Sequence, residues 1–467
     1  MSETHDLGMM NASQLNRLFR TKAASPVEAT MASLKRIDKF NEDFNAYCFV
    51  DHESAVADAR QSEARWLRNA PLSEIDGVSA SIKDILLTKG WPTLRGSRST
   101  VDNQEWNEDA PAVARLREAG AILLGKTTTP EFGWKGVCDS PLTGVTRNPW
   151  RPEMTSGGSS GGAAVAAAHK LGVLHLGTDG GGSIRIPASF SGIFGVKPTF
   201  GMVPAYPMSR FGTIAHLGPM TCSVADAAQM LTVISRPDHR DWHSLPYPRG
   251  DLTIGLNAGV KGLRVALSLT LGFTSADPEV GAAVREAARV FSDLGAIVDE
   301  DHPAIGDPTE TFRAHWYSGA ANQRRSIPKA DRDRLDEGFN MIADMGEEIP
   351  LAKYCEAMDR RAEIGLRSQE FFQNYDLLLT PTVAIPAFRT GQVSPDINER
   401  TDWMSWTPFT YPFNLTQQPA ASIPCGFTSH GLPIGLQIVG AKYRDDIVLA
   451  ASRAYESARP IQLPNLG

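Results

Sequence analysis

Two clusters of glycine and serine constrain this 467-residue chain more than any other feature: Thr155-Ser156-Gly157-Gly158-Ser159-Ser160-Gly161-Gly162 and Gly177-Thr178-Asp179-Gly180-Gly181-Gly182-Ser183-Ile184-Arg185. Glycine is required where the backbone takes a positive φ or comes close to another group, and successive amides in such turns converge on an anion. An exposed flexible linker would not be interrupted by the apolar, nearly uncharged stretch that separates these clusters. Both clusters therefore read as tight turns flanking one short helix and one strand. The run 180–183 has the composition of an oxyanion hole that ends in a hydroxyl nucleophile.

A serine hydroxyl is scarcely ionised at neutral pH and needs a base. His169 and His175 are nearby, but they read as a helix and a strand residue, and nothing ties either to a carboxylate. A lysine serves when burial depresses its pKa enough to yield a neutral amine. Lys83 follows the strand-like Gly77-Val78-Ser79-Ala80-Ser81-Ile82. It would stand at the end of a sheet element, where α/β folds gather their sites. Taken alone, a lysine in that place is more often an exposed edge residue.

Around this core the pattern is that of an α/β enzyme. Ser25-Pro26-Val27-Glu28 is a capping box with proline at the first helical position, followed by apolar Ala29, Met31, Leu34 and Ile37. Residues 1–75 are expected to form an N-terminal helical segment and 76–467 a single α/β domain. From Gly77 onward, short apolar runs at 173–176, 263–267, 376–380, 421–424 and 434–439 alternate with helical patterns at 111–119, 224–234 and 278–294. That alternation predicts a buried sheet covered by helices. Residues 236–259, rich in proline, histidine and aspartate, read as a long loop or insertion, and 310–370 as a helical region on the substrate side.

Hydrophobic residues make up 42% and charged residues 21%, which suits a soluble enzyme with a sizeable core. A net charge of −7 and the lack of any basic run argue against a nucleic-acid partner. Cys48, Cys138, Cys222, Cys355 and Cys425 are odd in number and far apart, so they read as reduced core residues rather than as disulfides or metal ligands. The N-terminus has no basic start followed by an apolar run, and no stretch approaches membrane-spanning length. The expectation is a cytoplasmic protein with no membrane partner.

At these residues the chain resembles the amidase signature hydrolases. The likeness covers most of the sequence and is densest from Asp76 to Pro204, in GGSSGG, GTDGGGSIRIP and GVKPTFGMVP. NLTQQPAASIPCGF and GLPIGLQIVG nearer the C-terminus match as well. The resemblance implies an α/β/α sandwich around a large mixed sheet, a Ser–cis-Ser–Lys triad, and no metal or organic cofactor. Carried over by position, Ser183 is the nucleophile, Ser159 the proton-relaying serine, and Lys83 of SIKD the base. The amides of Gly180, Gly181, Gly182 and Ser183 would form the oxyanion hole, although Gly180, where many members carry a bulkier residue, is expected to loosen the turn. Asp179 and Arg185 match positions that support the turn by pairing, and Ser160 is a second hydrogen-bonding serine. Oligomeric state is left open, a homodimer being unsurprising for the family.

Three other readings compete. Gly120-Ala121-Ile122-Leu123-Leu124-Gly125-Lys126-Thr127 satisfies the phosphate-loop pattern, but a helix precedes it and its variable positions look like a strand, so its context is wrong. Gly157-Gly158-Ser159-Ser160-Gly161 satisfies the nucleophile-elbow pattern, but the preceding 146–154 is polar and broken by prolines rather than a strand. A glutaminase subunit of a tRNA-dependent amidotransferase would need a partner protein and an acidic contact for the glutamine amine. The stretch Thr401–Tyr411 is aromatic instead, which favours a free-standing hydrolase of a small aryl or hydrophobic amide. A carbamate or an ester presents the same carbonyl to the same triad. Segments 130–141, 205–216 and 310–370 are expected to shape the pocket, with Thr155, Ser156, Cys138, Tyr206 and Trp316 as lining residues and Trp134, Phe211 and Tyr317 as further guesses.

Overall fold

The computed structural model of the chain describes residues 6–100, 104–247 and 249–466. Residues 1–5 of the expected N-terminal segment and 248 of the expected loop lie outside them. An eleven-stranded sheet runs through the molecule in the spatial order Tyr47–Val50, Ile122–Thr127, Ser79–Lys83, Leu174–Asp179, His216–Thr221, Phe194–Lys197, Ala420–Phe427, Pro433–Gly440, Leu377–Pro381, Arg264–Leu267 and Ile297–Glu300. Ser79–Lys83 is parallel to both of its neighbours, Leu174–Asp179 meets His216–Thr221 antiparallel, and the far edge returns to parallel pairing. The sheet is therefore mixed, with helices packed against it, as the resemblance implied.

The apolar runs become strands because they are buried on both faces. Leu377–Pro381 and Pro433–Gly440 have no exposed residue, so hydrophobic identity rather than alternation marks them. Helices Pro111–Glu118, Val224–Ile234 and Pro278–Asp293 follow the expected patterns within a residue of their ends. At Ser25 the capping box forms: its hydroxyl accepts from the Glu28 amide, and the Glu28 carboxylate accepts from the Ser25 amide. Ala29, Leu34 and Ile37 face inward from this helix, but Met31 is 52% exposed, because a residue two positions beyond Ala29 falls off the buried stripe.

Several features depart from expectation. The N-terminal helices Ala12–Thr21, Pro26–Phe44 and His52–Leu67 enclose Tyr47–Val50, which extends the main sheet at its edge. Its four residues are too few to show a period. His216–Thr221 contains Gly218 and Pro219 and has no strand signal, yet it lies centrally. A Cβ on Gly218 would sit 2.1 Å from the Val196 carbonyl oxygen, so glycine permits that close approach. Residues 236–247 and 249–259 carry no helix or strand, and Leu252 and Leu256 pin the segment to the core. Cys138 alone among the cysteines is buried; Cys48 and Cys355 are exposed, since each lies on the outward side of an element at the surface, and all five are free thiols. Among the described residues no helix is long and apolar enough to cross a membrane.

Candidate active site

Strands Ser79–Lys83 and Leu174–Asp179 run parallel and side by side, so their C-terminal residues emerge at one edge of the sheet. Lys83 ends the first strand and Asp179 the second. The turn 180–183 follows Asp179 and leads into the buried helix Arg185–Ser191, while the first Gly/Ser cluster enters the buried helix Gly161–Ala168. The helix Gly161–Ala168 approaches the sheet closely: a Cβ on Gly162 would lie 2.4 Å from the Ala46 carbonyl oxygen and the Thr128 amide. The peptide bond Gly158–Ser159 is cis.

The Lys83 ammonium position is fully buried and surrounded by three hydroxyls: Ser159 Oγ at 2.7 Å, Ser160 Oγ at 2.8 Å and Thr178 Oγ1 at 2.9 Å. Burial pushes its pKa down to about 7, with the nearby Cys138 and Asp179 resisting the shift. A neutral amine is thus available near physiological pH. Thr178 was not singled out from the sequence, although it sits within the second cluster; a strand threonine carries no signal until its neighbouring strand is known. Neither histidine takes part: His175 Nδ1 is 2.7 Å from Ser81 Oγ, and His169 packs on Phe44.

Asp179 and Arg185 pair as the resemblance implied. Both are inaccessible, with Nη2 of Arg185 2.9 Å from Oδ1 and Nε 2.9 Å from Oδ2. Burial alone would raise the Asp179 carboxyl, but the Arg185 charge and its hydrogen bonds overrule it and hold the group well below the usual range. Arg185 also donates to Thr410 O, Gln437 Oε1 and Asn414 Oδ1, tying the turn to the C-terminal segment. The same carboxylate accepts from the Gly182 amide at 2.8 Å and the Ile184 amide at 3.1 Å. This corrects one expectation. The Gly182 amide is committed to Asp179 and does not stand free for an oxyanion, unlike the expectation for all four amides of 180–183. Replacing Asp179 by asparagine strands a buried guanidinium charge, and urea denaturation is expected to show a loss of about 3–5 kcal/mol. A loss below 1 kcal/mol would show that the pair does not hold the turn.

Gly180 does not loosen the turn. The Trp316 ring fills the space where its side chain would be, and a Cβ there would lie 2.9 Å from Cζ3. Trp316 is itself fixed by donating Nε1–H to the Trp134 carbonyl and by stacking on Phe211, 4.2 Å between ring centres.

A cavity of about 350 Å³ opens above these groups, with Ser159, Thr178, Gly180 and Ser183 on its floor and Phe132, Phe200, Phe211 and Trp316 among its walls. Segments 130–141, 205–216 and 310–370 all contribute to it, and Tyr206, Phe211 and Trp316 line it as expected. Other pocket residues named from the sequence do not. Thr155 Oγ1 accepts from the Gly157 amide and Ser156 Oγ donates to the Thr146 carbonyl, so both are spent on the turn behind the site. Cys138 is packed under Gly161 against Thr128 and Thr146. Trp134 and Tyr317 are buried in the helical layer behind Trp316. Arg95 and Phe200 also line the cavity and lie outside the expected segments, because their loops converge on it only in the folded chain, while Phe132 and Arg210 come from within 130–141 and 205–216.

The competing motifs resolve structurally. Ile122–Thr127 is a buried strand, and Lys126 Nζ donates to Leu86 O, Thr88 Oγ1 and Thr93 Oγ1 rather than facing a phosphate-sized opening. The serine of GxSxG follows a loop, not a strand.

The pattern describing the Amidase family matches residues 28–449. An acylamidase of Rhodococcus erythropolis is 36% identical over 462 residues, spanning 97% of this chain and 96% of that protein. A glutamyl-tRNA(Gln) amidotransferase subunit of Myxococcus xanthus (strain DK1622) is 38% identical over 466 residues, spanning 93% and 94%. Among solved structures, a bacterial aryl acylamidase of the amidase signature family superposes with a TM-score of 0.90 at 29% identity, covering 97% of this chain and 96% of that one. 6-Aminohexanoate cyclic dimer hydrolase complexed with substrate superposes with a TM-score of 0.89 at 28% identity, covering 99% and 100%. The chain belongs to the amidase signature family and is a hydrolase of carbon–nitrogen amide bonds other than peptide bonds.

Proposed function

We propose that the protein cleaves a small aryl or hydrophobic amide through an acyl-enzyme on Ser183, with Ser159 as proton relay and Lys83 as base. The observation that carries this reading is the fully buried Lys83 amine 2.7 Å from Ser159 Oγ, on the floor of a cavity that also holds Ser183. The surrounding hydroxyls set the direction of proton flow. Ser160 Oγ–H donates to the Thr178 carbonyl at 3.0 Å, so toward Lys83 it can only accept. A neutral amine has two N–H bonds. With these directed at Ser160 and Thr178, its lone pair is left for the Ser159 proton.

Ser159 then takes the Ser183 proton as Ser183 Oγ attacks the carbonyl carbon. The oxyanion rests on the free amides of the turn, Ser159 returns a proton to the departing nitrogen, and the amine leaves. Water, deprotonated by the same relay, attacks the acyl-enzyme and releases the carboxylic acid.

The aromatic walls favour aryl or apolar amides over glutamine. Asp241, a carboxylate on the cavity wall, already accepts from the Ala205 and His243 amides and has little capacity left for a substrate ammonium. The test compares purified chain on acetanilide-type amides, the matching phenyl carbamates and esters, and glutamine. Release of aniline with no ammonia from glutamine is expected. Ammonia release outpacing anilide turnover would replace this reading with the amidotransferase one, and turnover of carbamates or esters alone would move the substrate to those classes.

A further inference from the structure

The cavity combines apolar walls with two arginines. Arg95 and Arg210 both line it, from the loop after Lys83 and from the 205–212 wall respectively. Arg95 is half-buried and held rigidly: its carbonyl accepts from the Phe132 amide at 2.9 Å, and the flanking Leu94 and Gly96 amides donate to Asp84. Its backbone lies in the left-handed region at φ 58°, which fixes the direction of a side chain that most residues would avoid placing there.

Neither guanidinium makes a hydrogen bond or ion pair among the described residues, and the carboxylates Asp84, Asp241 and Glu131 of the surrounding segments are committed to other groups. Asp84 serves the Leu94 and Gly96 amides and lies 3.7 Å from Lys126. Asp241 serves the Ala205 and His243 amides. Glu131 accepts from Ser97 and from the Asp336 amide, and burial raises it to about 7. The partly desolvated Arg95 has its pKa lowered by burial; Asp84 opposes this, and the like charge of Arg210 lowers it further, so the two arginines are within electrostatic reach. Two cations lining one cavity, with no carboxylate hydrogen-bonded to either guanidinium, form an arrangement that a bound anion would relieve, and guanidinium forks match a carboxylate in two-point fashion.

We propose that Arg95 and Arg210 form an anion-binding subsite, and that the preferred substrate is an amide carrying a carboxylate remote from the scissile bond. This rests on the assignment of Ser183, Ser159 and Lys83 as the hydrolytic machinery. The apolar walls take the body of the substrate, and the arginines fix its far end.

The test uses two matched pairs: 4-acetamidobenzoate against 4-methylacetanilide, with the carboxylate on the amine side, and glutaranilate against valeranilide, with it on the acyl side. The readout is the ratio of kcat/KM within each pair, for the natural chain, Arg95→Asn and Arg210→Gln. Asparagine is chosen because it tolerates φ near 58°. In at least one pair the carboxylated member should be favoured by about tenfold or more, and each variant should cut that ratio by about tenfold, as loss of a charge-assisted contact implies. A ratio near one in both pairs, or a ratio unchanged in both variants, overturns the proposal. If none of the four anilides turns over, the hydrolytic reading fails, and calorimetric binding of glutaranilate and 4-acetamidobenzoate to Ser183→Ala then reads the subsite alone. At least tenfold weaker binding on adding Arg210→Gln supports it, and unchanged or undetectable binding overturns it.

Discussion

Ser183→Ala is expected to lower kcat on an anilide by a factor on the order of 10⁴ or more, because no acyl-enzyme can then form. The chain should remain folded. Ser183 is 5% exposed at the cavity floor, its carbonyl accepts from the Ser160 amide, and loss of one hydroxyl leaves that backbone bond in place. The measurement is intact mass after treatment with a fluorophosphonate, with peptide mapping of the adduct, alongside single-turnover kinetics. A single adduct at Ser183, absent from the variant, is the expected result. An adduct at Ser159 that survives Ser183→Ala would instead make Ser159 the nucleophile. No adduct, with activity intact in the variant, would remove the acyl-enzyme altogether.

The second large effect concerns Lys83. Burial brings its pKa down to about 7, and the mechanism needs the neutral form. Protonation is favoured below that value, so kcat/KM should fall about tenfold per pH unit below 7 and rise to a plateau above it. Lys83→Met removes the base and should cost a factor of roughly 10² to 10⁴, the range typical of general-base catalysis. Its residual activity should lose the acid limb near pH 7. If the limb persists in Lys83→Met, another group titrates there; Glu131, also near 7, touches the cavity loops through Ser97 and is the group to examine next. A profile flat from pH 6 to 9 in the natural chain would mean that Lys83 is not the base.

The stability of the site should vary with pH in a related way. Between about 7 and its ordinary value in the unfolded chain, Lys83 is neutral when folded and protonated when unfolded. The unfolded state therefore binds more protons, and this group's contribution to stability rises with pH across that window.

Much of the site could be read from the chain because its residues are local. The segment 177–185 brings Asp179, the three glycines 180–182, Ser183 and Arg185 within nine residues, and a backbone that tight permits few residue types. Ser159 and Ser160 stand in a second such turn. Strands buried on both faces announced themselves as apolar runs, and helices by their caps and period. Short or irregular strands did not. Tyr47–Val50 is only one turn's worth of chain, and His216–Thr221 contains proline and glycine that only its neighbours explain.

The sequence by itself determined which residues could do the chemistry: a hydroxyl at the end of a glycine turn, a second serine in another, and a lysine at the close of an apolar strand. Tertiary structure decided how they work together. Only the parallel pairing of Ser79–Lys83 with Leu174–Asp179 buries Lys83 among three hydroxyls, because desolvation depends on everything packed around a group and not on its neighbours in sequence. Only the folded turn shows that the Gly182 amide belongs to Asp179 and that Trp316, 136 positions beyond Gly180 in the numbering, occupies the space that glycine leaves. The cavity walls come from loops distant along the chain, and loop positions follow from packing and hydrogen bonding that no local pattern encodes.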